Sequence, residues 1–148
     1  MIGNNYRLSD LHAALAIPQL SRIDEVIEKR QKNAGLLRAG LEDTDGIQLP
    51  SEKPGHRHVW HQFTVVLAEG VNRELFIERM KTRGVGCGIY YPRLVHDYDC
   101  FKSHPRVVVT ETPNAKRLSE RCVSIPVHQH LSVNDVEQVI EAFQFSIK

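Results

Sequence analysis

Three short runs rich in β-branched and aromatic residues, at 58–67, 85–91 and 122–126, stand between longer stretches with the spacing of helices. This alternation limits the fold more narrowly than any other feature, because short strands must share one sheet and the helices must cover it. The order reads helix, helix, strand, helix, strand, helix, strand, helix. It predicts a small α+β layer with a three-stranded sheet and helices packed on it. A chain of 148 residues has room for one such core, or one core and an arm.

Local signals place the helices. Ser9 is an N-cap, Asp10 suits the first turn, and Leu11, Ala14 and Leu15 recur at three and four spacing. Pro18 lacks an N–H and clashes with the preceding turn, so the spacing predicts a short helix over 9–17 and then a kink or restart. A second helix carries Leu20, Ile23, Ile27, Ala34, Leu37 and Leu41 on its apolar side. Its outer face is Asp24, Glu25, Glu28, Lys29, Arg30 and Lys32, with Glu25–Lys29 and Glu28–Lys32 as favourable i,i+4 pairs. Asp45-Gly46 ends this region, and 51–55 reads as a polar loop. Asn72 caps a helix through Leu75, Phe76, Ile77 and Met80, closed by Gly84. The stretch 93–113 reads as a long, largely irregular loop of the kind that is functional or ordered by a partner. A short helix at 114–121 leads into the last strand, and Ser132 caps a final helix with Val133, Val136, Val139, Ile140 and Phe143 on one side. The later helices cover the sheet, whereas the apolar face of the first calls for a partner.

Composition excludes several classes of function. Nineteen Lys and Arg against eighteen Asp and Glu leave +1 with His neutral, which argues against a nucleic-acid binder. With 41% hydrophobic and 25% charged residues, the chain is too apolar for wholesale disorder. No apolar run approaches the ~20 residues of a membrane span, and the first residues, Met-Ile-Gly-Asn-Asn, do not read as a signal peptide. Cys87, Cys100 and Cys122 are odd in number and lack C-x-x-C spacing, as expected of reduced thiols. The expectation is a soluble, cytoplasmic protein with no membrane contact.

No self-sufficient active site is legible. Walker A, G-x-G-x-x-G, G-x-S-x-G and H-E-x-x-H patterns are absent. The glycines at 84, 86 and 88 follow a helix and enter a strand, the reverse of a phosphate-cradling loop, and read as a tight turn. Cys87 between two of them is either an activated thiol or a small strand residue, and the second is the plainer account. His56, His58 and His61 form H-x-H-x-x-H, and His128 and His130 form H-x-H. On paired strands these would offer zinc two ligands from each, yet no cysteine or carboxylate completes the set.

Several stretches, in order, resemble one family. The segment 3–14, Gly-Asn-Asn-Tyr-Arg-Leu-Ser-Asp-Leu-His-Ala-Ala, resembles the G-Y-N-Y-R-M-S-E-L-Q-A-A motif of the DegT/DnrJ/EryC1/StrS aminotransferases. Gln-Leu-Ser-Arg-Ile-Asp at 19–24 resembles Q-L-x-R-L-D, and His-Val-Trp-His at 58–61 resembles H-V-Y/W-H. Gly-Ile-Tyr-Tyr-Pro at 88–92 resembles G-V-H-Y-P, and Val-Ser-Ile-Pro-Val-His at 123–128 resembles L-S-L-P-M-H. Leu131-Ser132 and Asp135-Val136 then match L-S-x-x-D-I.

The resemblance implies a pyridoxal-phosphate enzyme that aminates keto-sugar nucleotides with an amino acid such as glutamate, working as a homodimer. It covers only the C-terminal two-fifths or so of such an enzyme. The implied fold is thus the small C-terminal domain of a fold-type-I transferase at 45–148, preceded by a helical segment at 1–44 that joins the large domain and the dimer interface. The family's Schiff-base lysine lies upstream of the N-Y-R motif. Lys29, Lys32, Lys53, Lys81, Lys102, Lys116 and Lys148 fall in none of its context, so no catalytic residue is assigned and the chain alone is expected to be inactive.

Asn5 matches the asparagine that reaches the cofactor phosphate of the neighbouring subunit, where an amide donates without adding charge. Arg7 is expected to fix local structure and Tyr91 to pack. Tyr90 stands where relatives have His beside the sugar-nucleotide site, and its phenol still donates a hydrogen bond. His96 matches the His of P-L-H-x-Q-P, although Tyr98 and Asp99 replace Gln-Pro. Both are candidate substrate-binding residues. Two other readings compete with an aminotransferase piece: a stand-alone binding or regulatory module derived from the family, and a histidine metal module.

Overall fold

Ile47–Gln48 (β1), Phe63–Leu67 (β2) and Cys122–Ile125 (β3) pair as a three-stranded antiparallel sheet, in that spatial order, in a computed structural model that describes residues 7–148. The register sets Ile47 opposite Leu67, Phe63 opposite Ile125 and Val65 opposite Val123. Along β2 the odd residues Phe63, Val65 and Leu67 are buried and the even ones only half-buried, the period-two pattern of a strand with one face in the core. All four residues of β3 are buried.

Among the described residues six helices accompany the sheet: α1 at Asp10–Leu20, α2 at Ile23–Leu41, α3 at Arg73–Thr82, α4 at Asp99–Lys102, α5 at Pro113–Arg121 and α6 at Val133–Ser146. α6 packs against both α2 and α3. Leu37 and Leu41 of α2, Phe76 and Met80 of α3, and Val136 and Phe143 of α6 meet the strand residues in one core. Full burial of each such side chain contributes about 1.5–3 kcal/mol. Phe76 and Phe143 meet edge to face, with ring centroids 4.9 Å apart.

The α+β class and the sheet with helices packed on it are as the sequence indicates, but one strand is not. The stretch 85–91 forms no strand; it makes a single bridge, Gly88 to Ser124. Glycines at 84, 86 and 88 leave little side chain to pack and carry a large entropy cost in extended backbone. The third strand is β1, which turns in at Gly46 (φ +79°). The run at 58–67 is also shorter than its composition suggests. Trp60 adopts φ +47°, and its N–H donates to His58 Nδ1, so pairing begins only at Phe63.

Pro18 does not end α1, which continues to Leu20. The proline costs one bond, to the carbonyl of Ala14, on an exposed helix where water can take its place. The break comes at Ser21 and Arg22, whose N–H groups donate to Ile17 and Gln19. The long stretch 93–113 is partly ordered by a 3₁₀ turn at Val95–Asp97 and by α4. Three N-caps are as expected: Ser9, Asn72 and Ser132 accept from His12, Leu75 and Asp135 N–H groups. Of the two i,i+4 pairs on α2, Glu25–Lys29 closes at 2.7 Å, whereas Glu28–Lys32 makes no ion pair among the described residues.

α1 has no buried residue, and Leu8, Leu11, Leu15, Ile17 and Leu20 are all exposed. No helix among the described residues is long and apolar enough to cross a membrane.

Candidate functional site

α2 does more than cover the sheet. Arg30 lies one turn before Ala34 and Leu37 on the same side of the helix, and this places its guanidinium against two loops rather than in solvent. Its Nη1 donates to the carbonyls of Trp60 (2.9 Å) and His61 (3.0 Å), and its Nε donates to Gln129 Oε1 (3.2 Å). One turn on, Asn33 Nδ2 donates to the carbonyl of His128 at 2.9 Å. The loop before β2 and the loop after β3 are thereby held to one helix.

Between these loops lies a cavity of about 670 Å³. Arg30, His61, Gly88, Tyr90, Ser124 and His128 are among the residues that line it. Gly88 is held there by its bridge: its N–H donates to the Ser124 carbonyl at 2.9 Å, and the Ser124 N–H returns to its own at 2.8 Å. Ser124 and Thr64 share a hydroxyl hydrogen bond of 2.7 Å. Cys87 is half-buried in the same wall, and burial pushes its thiol up to about 11, so it is neutral and unactivated.

The candidate substrate residues are not brought together. Tyr90 lines this cavity, half in solvent. His96 lines a separate cavity of about 290 Å³ with Glu111 and Lys116, its Nε2 3.9 Å from Asp97 Oδ1. Asn5 lies outside the described residues. Arg7 is exposed. Tyr91, expected to pack, is exposed too, meeting Tyr90 only at its edge with centroids 6.1 Å apart.

The histidine metal reading finds no geometry. His56 and His58 line a surface hollow with Lys53 and Arg57, while His61 and His128 face the larger cavity. Among the described residues no three His, Cys, Asp or Glu side chains group as metal donors. The residues that carry these histidines, 56–61 and 128–130, lie outside the strands. Gly84 (φ +77°) closes α3, as a tight turn should. All seven lysines are exposed.

Sequence reasoning placed Arg30 on the solvated charged face and missed its role. The signal was available: 30, 34, 37 and 41 share the three-and-four spacing of the apolar stripe, so a charge there had to meet other protein.

Structural comparison gives the same fold in solved aminotransferases. The chain superposes on the aminotransferase TlmJ from Streptoalloteichus hindustanus with a TM-score of 0.84 and 26% identity, over 99% of this chain and 38% of that one. For DesV of S. venezuelae the values are 0.86 and 26%, over 100% and 39%. PseC of Helicobacter pylori, an aminotransferase involved in the biosynthesis of pseudoaminic acid, shares the fold at 0.86 and 17%, over 99% and 39%. The chain thus spans about two-fifths of the length of these structures. The sequence pattern of the DegT/DnrJ/EryC1/StrS aminotransferase family matches residues 1–144, almost the whole chain, and the chain belongs to that family.

Proposed function

We propose that this chain is the C-terminal part of a pyridoxal-phosphate-dependent aminotransferase that transfers an amino group from an amino acid such as glutamate to a keto-sugar nucleotide. In this reading residues 45–148 form the small domain that closes over the substrate, and 1–44 joins the large domain and the dimer interface of a cytoplasmic homodimer. The observation that carries it is α1: its large apolar side chains Leu11, Leu15, Ile17 and Leu20 are all exposed, and a helix of that composition is stable in water only when something covers it. A family match along nearly the whole chain, at two-fifths of the length of the solved relatives, supports the same view.

The described residues do not by themselves fit the cofactor. A lysine that links to it must be shielded from water to be nucleophilic, and all seven here are exposed. Pyridoxal phosphate, when bound, supplies an electron sink; in this reading the lysine that holds it comes from the large domain, and the chain alone does not transaminate. Asn5 reaches the cofactor phosphate of the neighbouring subunit. Tyr90 and His96 face the sugar nucleotide from two places on the small domain.

The test begins with the size of the native polypeptide, by immunoblot of source cells with antibody to this chain. A band at the length of the solved relatives is expected. That protein should show the cofactor's absorption band and transfer amino groups to a keto-sugar nucleotide, whereas the 148-residue chain should self-associate, bind a hydrophobic dye and transfer nothing. A native band at 148 residues, or a monodisperse chain that binds no dye, overturns the reading.

A further inference from the structure

We propose that His58 is a pH-sensitive latch: its neutral imidazole holds Trp60 in a left-handed turn against the core, and protonation of the ring releases that turn. Trp60 is buried, with its indole stacked on Phe63 at a centroid distance of 5.6 Å, yet its backbone sits at φ +47°. A bulky residue occupies that region only where its surroundings hold it there. Two hydrogen bonds do so here. The Trp60 N–H donates to His58 Nδ1 at 2.9 Å, and the Trp60 carbonyl accepts from Arg30 Nη1, also at 2.9 Å. The first bond exists only while Nδ1 has a free lone pair, so the ring must be neutral with its proton on Nε2.

The His58 ring is exposed and lies against the indole, with centroids 4.2 Å apart and planes tilted by 40°. Solvent reaches it, and an imidazole changes charge between about pH 5 and 8. An imidazolium that stayed in place would set Nδ1–H against the Trp60 N–H, donor to donor; turning the ring over would offer a carbon instead. Either way a part-buried N–H loses its acceptor. The attraction of a cation for the indole face does not restore the turn, because any ring position over that face serves it. On the ring's own loop, Glu52 accepts from the His58 backbone N–H and is the carboxylate of a hollow that Lys53, His56 and Arg57 also line. From α2, Asp24 pairs with Arg57, Gln31 donates to the His58 carbonyl, and Arg30 is held by the carbonyls of Trp60 and His61 and by Gln129. Glu52 is therefore the acceptor at hand for a freed imidazolium. Acid removes one of the two bonds on Trp60 and so loosens the segment that carries His61.

This inference needs neither cofactor nor turnover, so it stands or falls apart from the transferase reading. Trp60 is the one tryptophan of the chain, and its emission reports on this turn alone. Between about pH 8 and pH 5 the emission of the 148-residue chain should move to longer wavelength. Over the same range the protection of the Trp60 N–H against hydrogen exchange, taken relative to the free-chain rate at each pH, should fall about tenfold. His58→Asn supplies an amide oxygen that accepts from the N–H two residues on and does not titrate, so it should keep the turn closed and abolish both changes. His56→Ala, His61→Ala and Glu52→Gln should leave both changes in the imidazole range. The proposal is overturned by a parent chain that shows neither change, or by quenching of the indole with no shift and no loss of protection. A transition that persists in H58N, or disappears in H56A or H61A, overturns it as well.

Discussion

The ring of Tyr90 folds back over Gly88, so close that a Cβ on the glycine would lie 2.5 Å from Tyr90 Cε2 and 2.9 Å from its hydroxyl. Gly88 is thus the seat of the one candidate substrate residue on the main cavity, while its backbone is bound to Ser124. The obstructing atoms belong to the far end of a half-exposed side chain, which can swing away. Gly88→Ala is therefore expected to cost less than about 1 kcal/mol of stability while displacing the Tyr90 ring. Urea unfolding reads the first quantity and the nuclear Overhauser contacts of the Tyr90 ring the second. A ring still seated over residue 88 would refute the relationship.

Gly40 presents the opposite case. A Cβ there would run into Ile140, with Cγ1 and Cγ2 at 3.0 and 3.1 Å, at the contact between α2 and α6. Gly40→Ala gains helix propensity, yet overpacking should win, with a loss of about 1–3 kcal/mol in urea midpoint analysis. The double variant G40A/I140A removes the clash, so a strongly non-additive recovery is expected.

Asp135 makes stability depend on acid. Its carboxyl is held below the ordinary value by the hydrogen bond from the Ser132 hydroxyl, and then by that from the Ser132 backbone N–H. Because the folded value lies below the unfolded one, about 3.9, this contribution is complete above that pH and is lost as pH falls through the folded value. Ser132→Ala removes the larger of the two bonds. Its unfolding midpoint should fall less steeply than the parent's below about pH 4. Equal slopes would remove the capping box from the account.

The three thiols should separate by reactivity. Cys100 is exposed, Cys87 half-buried and Cys122 buried. Iodoacetamide followed by mass spectrometry at pH 8 should label Cys100 at least about tenfold faster than Cys87, whose thiolate is scarce. Labelling of Cys87 should accelerate only as pH approaches its raised value of about 11. Early labelling of Cys87 would mean that the cavity wall opens.

Much of the architecture was legible in local chemistry. Ser9, Asn72 and Ser132 announce their helices because each cap is settled within three residues of sequence, and the family follows from motifs whose order needs no coordinates. The strand at 122–125 and most of β2 follow from side chains that favour extended, buried backbone. What composition could not decide was pairing. Ile47–Gln48 is too short to stand out, and it becomes a strand only because Leu67 and Val66 lie opposite it; the longer run at 85–91 finds one bridge and no ladder.

The site divides in the same way. Tyr90 and His96 are equally visible in a motif, but only the folded chain sends them to different cavities. Arg30 looked like one more surface charge until two loops distant in sequence, around Trp60 and Gln129, closed on it. Sequence by itself determined the caps, the helical stripes, the family and the apolar face of α1, since each depends on neighbours within a turn or on an ordered motif. Tertiary structure alone decided which strands pair, which charge is enclosed and which histidines share a cavity, because those are contacts between residues far apart in sequence, and no local propensity encodes them.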